Sequence, residues 1–81
     1  MKELIQQYFT NPYLNLTATD RLVLLILTEH ITGLRIEDIA RATGSRFRWM
    51  QREISRLTGL GVLRRVSPGT YTINPDPEVR R

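Results

Sequence analysis

The amino-acid sequence predicts a small, mainly α fold with one β-hairpin, and three observations carry that expectation. Apolar residues recur at helical spacing in four segments, separated by Asn11-Pro12, Gly33 and Gly44. A proline-glycine turn at Pro68-Gly69 lies between two β-rich runs, VLRRV and TYTI. Eighty-one residues with 41% hydrophobic content make one domain with a modest core. A compact helical fold or a dimer suits such a core better than an elaborate sheet.

Each element follows from its own residues. Over residues 2–9, Leu4, Ile5, Tyr8 and Phe9 form one apolar stripe of a short helix, which Asn11-Pro12 ends because proline disfavours helical geometry in the residue before it. Thr17 or Thr19 can cap a second helix running to about Glu29 or His30, with Asp20 well placed in its first turn. Its run LVLLIL, residues 22–27, is apolar on every face and could also be a buried strand. The explicit cap and the length favour helix, and such a helix needs cover on two sides. Gly33 breaks the chain. A third helix over Ile36–Thr43 turns Ile36, Ile39 and Ala40 inward. After Gly44-Ser45 a fourth helix spans Arg46–Thr58 and is stopped by Gly59 and Gly61. If the following hairpin has a three-residue loop, Leu63 faces Ile73 and Arg65 faces Tyr71; other loop lengths shift the register. The domain is expected to cover 1–75, with 76–81 a flexible tail.

The charge pattern narrows the function. Net charge is only +4, yet residues 41–66 hold seven arginines against one acid, Glu53, while the remainder is slightly acidic. Eleven of the twelve basic residues are arginine, which favours bidentate contact with phosphate or guanine. On a helical wheel Phe47, Met50, Ile54 and Leu57 share one face and Arg48, Arg52 and Arg56 the other. The fourth helix is thus held by one side and offers guanidiniums from the opposite one, toward a polyanion. A short helix, a tight glycine turn and such a helix are the parts of a helix-turn-helix, and the basic hairpin after them supplies a wing.

With these parts in order, the chain resembles the winged helix-turn-helix superfamily of bacterial and phage DNA-binding regulators, especially its MarR-like forms, over roughly Leu16 to Pro75. The resemblance rests on IEDIARATG for the first helix and turn, SRFRWMQREISRL for the recognition helix, GLGVLRRV for the exit strand and SPGTYTI for the wing. Ile36, Glu37-Asp38, Ile39-Ala40 and Gly44 match the family's helix and turn, and Leu57 and Gly61-Val62-Leu63 its helix end and wing opening. The ending GTYTINP is also similar to the wing of small plasmid and phage replication or control proteins. Phe47, Arg48 and Trp49 are bulkier than the Ser/Thr residues usual at the start of a recognition helix, so no base-reading pattern is carried over.

The resemblance implies a sequence-specific double-stranded DNA-binding protein, a bacterial, plasmid or phage transcriptional regulator. Helix 46–58 would enter the major groove, with the 62–73 hairpin as wing. A replication-initiation or control protein is the alternative, as is a winged-helix protein-interaction module without nucleic acid, since fold alone does not fix function. The candidate DNA-binding residues are Ser45, Arg46, Arg48, Trp49, Gln51, Arg52, Ser55, Arg56, Arg64 and Arg65. Arg46 is placed to touch phosphate. Ser45 is read first as the helix N-cap, with a phosphate contact as the alternative. Gln51 and Ser55 either reach base edges or line the helix flank. Trp49 either presses on a thymine methyl or sugar, or packs against the N-terminal helix or a dimer mate; its large apolar area favours packing. Arg64 or Arg65 meets phosphate or enters a minor groove. The bland alternative for the arginine face is solvated surface, but such faces normally mix signs.

Other classes find no support. There is no cysteine for a disulfide or thiolate metal site, His30 is the lone histidine, and Glu37-Asp38 sits where helix N-termini favour acids. No nucleophile-base pair or phosphate-cradling glycine loop is present, so neither an enzyme nor a cofactor or small-molecule ligand is expected. MKELIQQYFT lacks the apolar core of a signal peptide, and LVLLIL is too short to cross a bilayer. A soluble, cytoplasmic protein is expected. Pairing of two copies through the N-terminal helix and residues 22–27 is one expectation; the alternative is that these helices only cover one another and the domain binds alone or in head-to-tail arrays.

Overall fold

A computed structural model describes residues 2–76. The tail expectation falls, from residue 77 onward, outside the described residues. The chain forms α1 (Lys2–Thr10), α2 (Ala18–Thr28), β1 (Leu34–Arg35), α3 (Ile36–Thr43), α4 (Phe47–Gly59), β2 (Leu63–Ser67) and β3 (Thr70–Ile73). The strands make one antiparallel sheet in the order β1-β3-β2. Four helices and a three-stranded sheet make the fold more mixed than the expected helices plus hairpin. Among the described residues no helix is long and apolar enough to cross a membrane.

Thr17, not Thr19, caps α2. Thr17 Oγ1 accepts from the Asp20 N–H at 3.1 Å, and Asp20 Oδ2 accepts from the Thr17 N–H at 2.9 Å. This reciprocal pair satisfies two donors that a helix start otherwise leaves open, and it settles the 22–27 run as helix. Val23, Leu24 and Leu27 turn into the core, while Leu22 and Leu25 stay 43% and 50% exposed. The expected cover on two sides is therefore only partly supplied within the chain. Burial of Val23, Leu24 and Leu27 is worth about 1.5–3 kcal/mol per side chain, enough to hold α2 on one face alone.

Ile36, Ile39 and Ala40 of α3 and Met50, Ile54 and Leu57 of α4 meet in that core, with Ile5 and Tyr8 of α1 on one side and Val62, Leu63 and Ile73 at the sheet. Phe47 is a correction. It has the phase of the inward stripe but is 45% exposed, because the first turn of α4 overhangs the packed region that begins at Met50. Tyr8 is 1% exposed, and its hydroxyl donates to the Asn74 carbonyl at 2.6 Å, tying α1 to the residue that follows β3. Burial, with a smaller contribution from the Asp76 charge, pushes the Tyr8 phenol up to about 12.

The strand β1 has no signature of its own in the sequence. It forms because Gly33, at φ +106°, lets the chain press against β3: an added Cβ would stand 2.8 Å from Thr70 Cγ2 and 3.1 Å from the Tyr71 carbonyl oxygen. Leu34 then pairs with Tyr71 and Arg35 with Thr70. In the hairpin Leu63 faces Ile73 and Arg65 faces Tyr71, the register expected for a three-residue loop. The connection is built differently, however. Ser67 pairs with Thr70 around a two-residue Pro68-Gly69 turn, and Val66 is the extra residue of a bulge between Arg65 and Ser67. Gly69 at φ +77° suits the third position of a proline-glycine turn.

Candidate nucleic-acid interface

The helix pair α3–α4 is joined by a turn whose geometry comes from Gly44. At φ +69° it adopts the left-handed conformation that ends α3, and the Ser45 N–H bonds the Ala40 carbonyl at 2.8 Å. The N-cap of α4 is Arg46, which makes no side-chain capping bond; Ser45 is displaced by one residue from the expected cap. Its hydroxyl instead accepts from Thr43 Oγ1 at 2.9 Å, so it serves the turn. The helix also runs one residue beyond expectation. Gly59 is its last residue, Leu60 is the C-cap, and Gly61 takes the positive φ of +83° just past it.

With Met50, Ile54 and Leu57 fully buried, the opposite side of α4 is turned to solvent. Arg48, Gln51, Arg52 and Ser55 are all exposed there, and Arg46 is exposed at the N-cap. Arg48, Gln51 and Arg52, at i, i+3 and i+4, line an open concavity on that side. Among the described residues neither Arg48 nor Arg52 has a carboxylate within ion-pair distance. Bare guanidiniums beside a carboxamide offer donors for phosphate oxygens or the O6/N7 edge of guanine.

Arg56 is placed differently from its two predecessors. Its Nη2 donates to Asp20 Oδ2 at 2.5 Å and to Glu53 Oε1 at 3.0 Å. Asp20 is completely buried, so the start of α2 is bonded to the flank of α4. Partial burial works against the Arg56 charge, but the hydrogen bonds and charges of Asp20 and Glu53 more than offset it and raise its pKa further above the ordinary arginine value. Arg56 is thus committed to the fold, with 38% of its side chain still exposed. Asp20 Oδ1 has no hydrogen-bond partner among the described residues. Sequence reasoning placed Asp20 only as a favourable acid in the first turn of α2 and missed its bond to Arg56. The only local trace of it is the i, i+3 placement of Glu53, which shows that Arg56 has a carboxylate neighbour but not that it has two.

Trp49 is not part of the core cluster and is 38% exposed. The sheet adds Arg64 and Arg65, both exposed. Arg64 pairs with Thr72 and Arg65 with Tyr71, so the two side chains leave opposite faces of the hairpin and cannot both address one flat surface. The hairpin turn is held down at its tip, since the Ile36 N–H at the start of α3 bonds the Gly69 carbonyl at 3.2 Å. Beside it, Arg35 pairs with Glu37 at 2.6 Å and is neutralised locally.

No known protein family, no curated protein and no solved structure matches the chain.

Proposed function

We propose that this chain is a sequence-specific double-stranded DNA-binding protein of winged helix-turn-helix type, a transcriptional or replication-control factor acting in the cytoplasm. In this reading α3 and the Gly44 turn set the angle of α4, α4 enters the major groove, and the β2–β3 hairpin is the wing. The observation that carries it is the free arginine ridge. Arg48 and Arg52 stand exposed, and unpaired among the described residues, on the side of α4 opposite its buried stripe. Arg46 flanks the ridge as a phosphate contact, Gln51 and Ser55 reach base edges, and one of Arg64 and Arg65 meets the backbone. Arg56 acts mainly by fixing the helix, with its exposed portion near phosphate.

The test is a fluorescence-anisotropy titration of short duplexes over a range of salt. Binding should weaken linearly in log-log form, with a slope of about −0.9 for each phosphate neutralised. Absent or salt-insensitive binding rejects the proposal and favours a protein-interaction module on the same scaffold. A second copy is proposed on the α2 face that leaves Leu22 and Leu25 exposed. Two-fold pairing would set half-sites about 10 bp apart. Light scattering of the free protein and the symmetry of its footprint decide this; a monomer protecting one asymmetric half-site rejects it.

A further inference from the structure

We propose that Phe47 and Trp49 read thymine 5-methyl groups on either side of the base engaged by Arg48, an inference that rests on the DNA-binding reading above. The two aromatics are chain neighbours of Arg48 and stand about 100° to either side of it around the helix. Phe47 is 45% exposed and Trp49 38%, and no other part of the described chain brings either into the core. They bracket the point from which Arg48 reaches outward, beside the concavity it shares with Gln51 and Arg52.

Their chemistry selects the ligand. Phe47 has no hydrogen-bonding group, and Trp49 has a single donor at the edge of a large apolar ring. Neither can read the polar pattern of a base edge as an amide or guanidinium does. The thymine methyl is the apolar group that the major groove presents at base edges. A protein partner on the same surface would have to place a carboxylate against Arg48 between the apolar contacts that cover the two rings. A groove supplies guanine acceptors for the arginine and methyl groups for the rings at once. The expected half-site therefore has a guanine adjoined by thymine.

Uracil provides the test, because it keeps the pairing and hydrogen-bond edges of thymine and lacks only the methyl. A duplex is selected from random sequence by the parent protein, and each thymine is replaced by uracil in turn. Affinity is then measured for the parent, Phe47→Ala and Trp49→Ala, with circular dichroism confirming the fold of the variants. The expected result is a loss of about fourfold at a sensitive position, the effect of one methyl leaving an apolar contact. That loss should vanish in the variant whose aromatic covers the position. Uniform tolerance of uracil by the parent, or a selected site without thymine, overturns the inference while DNA binding stands. Uracil sensitivity that persists in both variants overturns it too, since another side chain then reads the methyl. If no duplex is enriched, the DNA-binding reading itself fails and this inference falls with it.

Discussion

Arg52 and Arg56 stand one turn apart on α4, and their surroundings divide the helix surface into two regions. Arg52 is exposed, and no carboxylate is within ion-pair distance among the described residues. Arg56 gives one nitrogen to Glu53 and to Asp20, a carboxylate 36 positions earlier in the chain and entirely buried. The residue type and the helix are the same. What separates them is whether another element has already claimed the guanidinium. A row of arginines on a wheel is therefore not one surface: part of it holds the molecule together, and part stands exposed without an ion pair among the described residues.

The largest expected effect comes from the platform beneath both regions. Ile54 is fully buried under the helix, and Ile54→Ala should destabilise the domain by about 2–5 kcal/mol. Thermal melting measures it, and an unshifted midpoint would mean that the helix faces are assigned in the wrong phase. Arg52→Ala should sharpen the contrast from the free side. It should weaken DNA binding by about 1–3 kcal/mol while the melting temperature stays that of the parent. Binding equal to the parent's would remove Arg52 from the interface.

The committed side should answer in the opposite currency. Asp20→Ala removes a capping partner of Thr17 and the buried carboxylate that holds Arg56, and should cost about 1–3 kcal/mol of stability. The lower end of buried-pair estimates applies because Arg56 is partly exposed to water, which screens the interaction. Chemical denaturation checks it. A variant as stable as the parent would mean that the ion pair contributes nothing net. The smallest effect at neutral pH is expected for Tyr8→Phe, about 0.5–1.5 kcal/mol from one hydrogen bond. At alkaline pH that difference shrinks and then reverses in sign. The folded phenol is raised from 10.0 to about 12, so its contribution is complete below pH 10 and is lost as pH rises toward 12. Between those values the parent should lose about 1.4 kcal/mol per pH unit that Tyr8→Phe does not lose. Superimposable denaturation profiles for the two proteins would refute this.

The sequence was most informative where local chemistry decides. Thr17 and Asp20 announce a helix start, Ile36, Ile39 and Ala40 carry the inward face of α3, and Pro68-Gly69 marks the hairpin. The free ridge at Arg48 and Arg52 was legible for the same reason, since helical periodicity places it opposite Met50 and Ile54. Features that depend on distant neighbours were not legible. Strand β1 is two residues long, and its pairing rests on Gly33 approaching Thr70 across the fold. The commitment of Arg56 depends on Asp20, and the exposure of Phe47 on the core beginning only at Met50. Periodicity gives the direction in which a side chain points but not what stands there to meet it.

One contact has a consequence for the order in which this molecule assembles. The Tyr8 hydroxyl is fastened to the carbonyl of Asn74, 66 positions later, and Asn74 also donates from its side chain to the Gly61 carbonyl and from its backbone to that of Val62. Tyr8 leaves the ribosome well before its anchor, which emerges only after both hairpin strands have been made. Closing so long a loop before those strands exist would cost chain entropy with no bond in return. Helix α1 is thus made before the hairpin but receives this bond only once the hairpin is complete. A nascent chain paused before Asn74 would leave the apolar side of α1, Ile5 and Tyr8, without its polar latch, at the stage when chaperones and proteases can reach it.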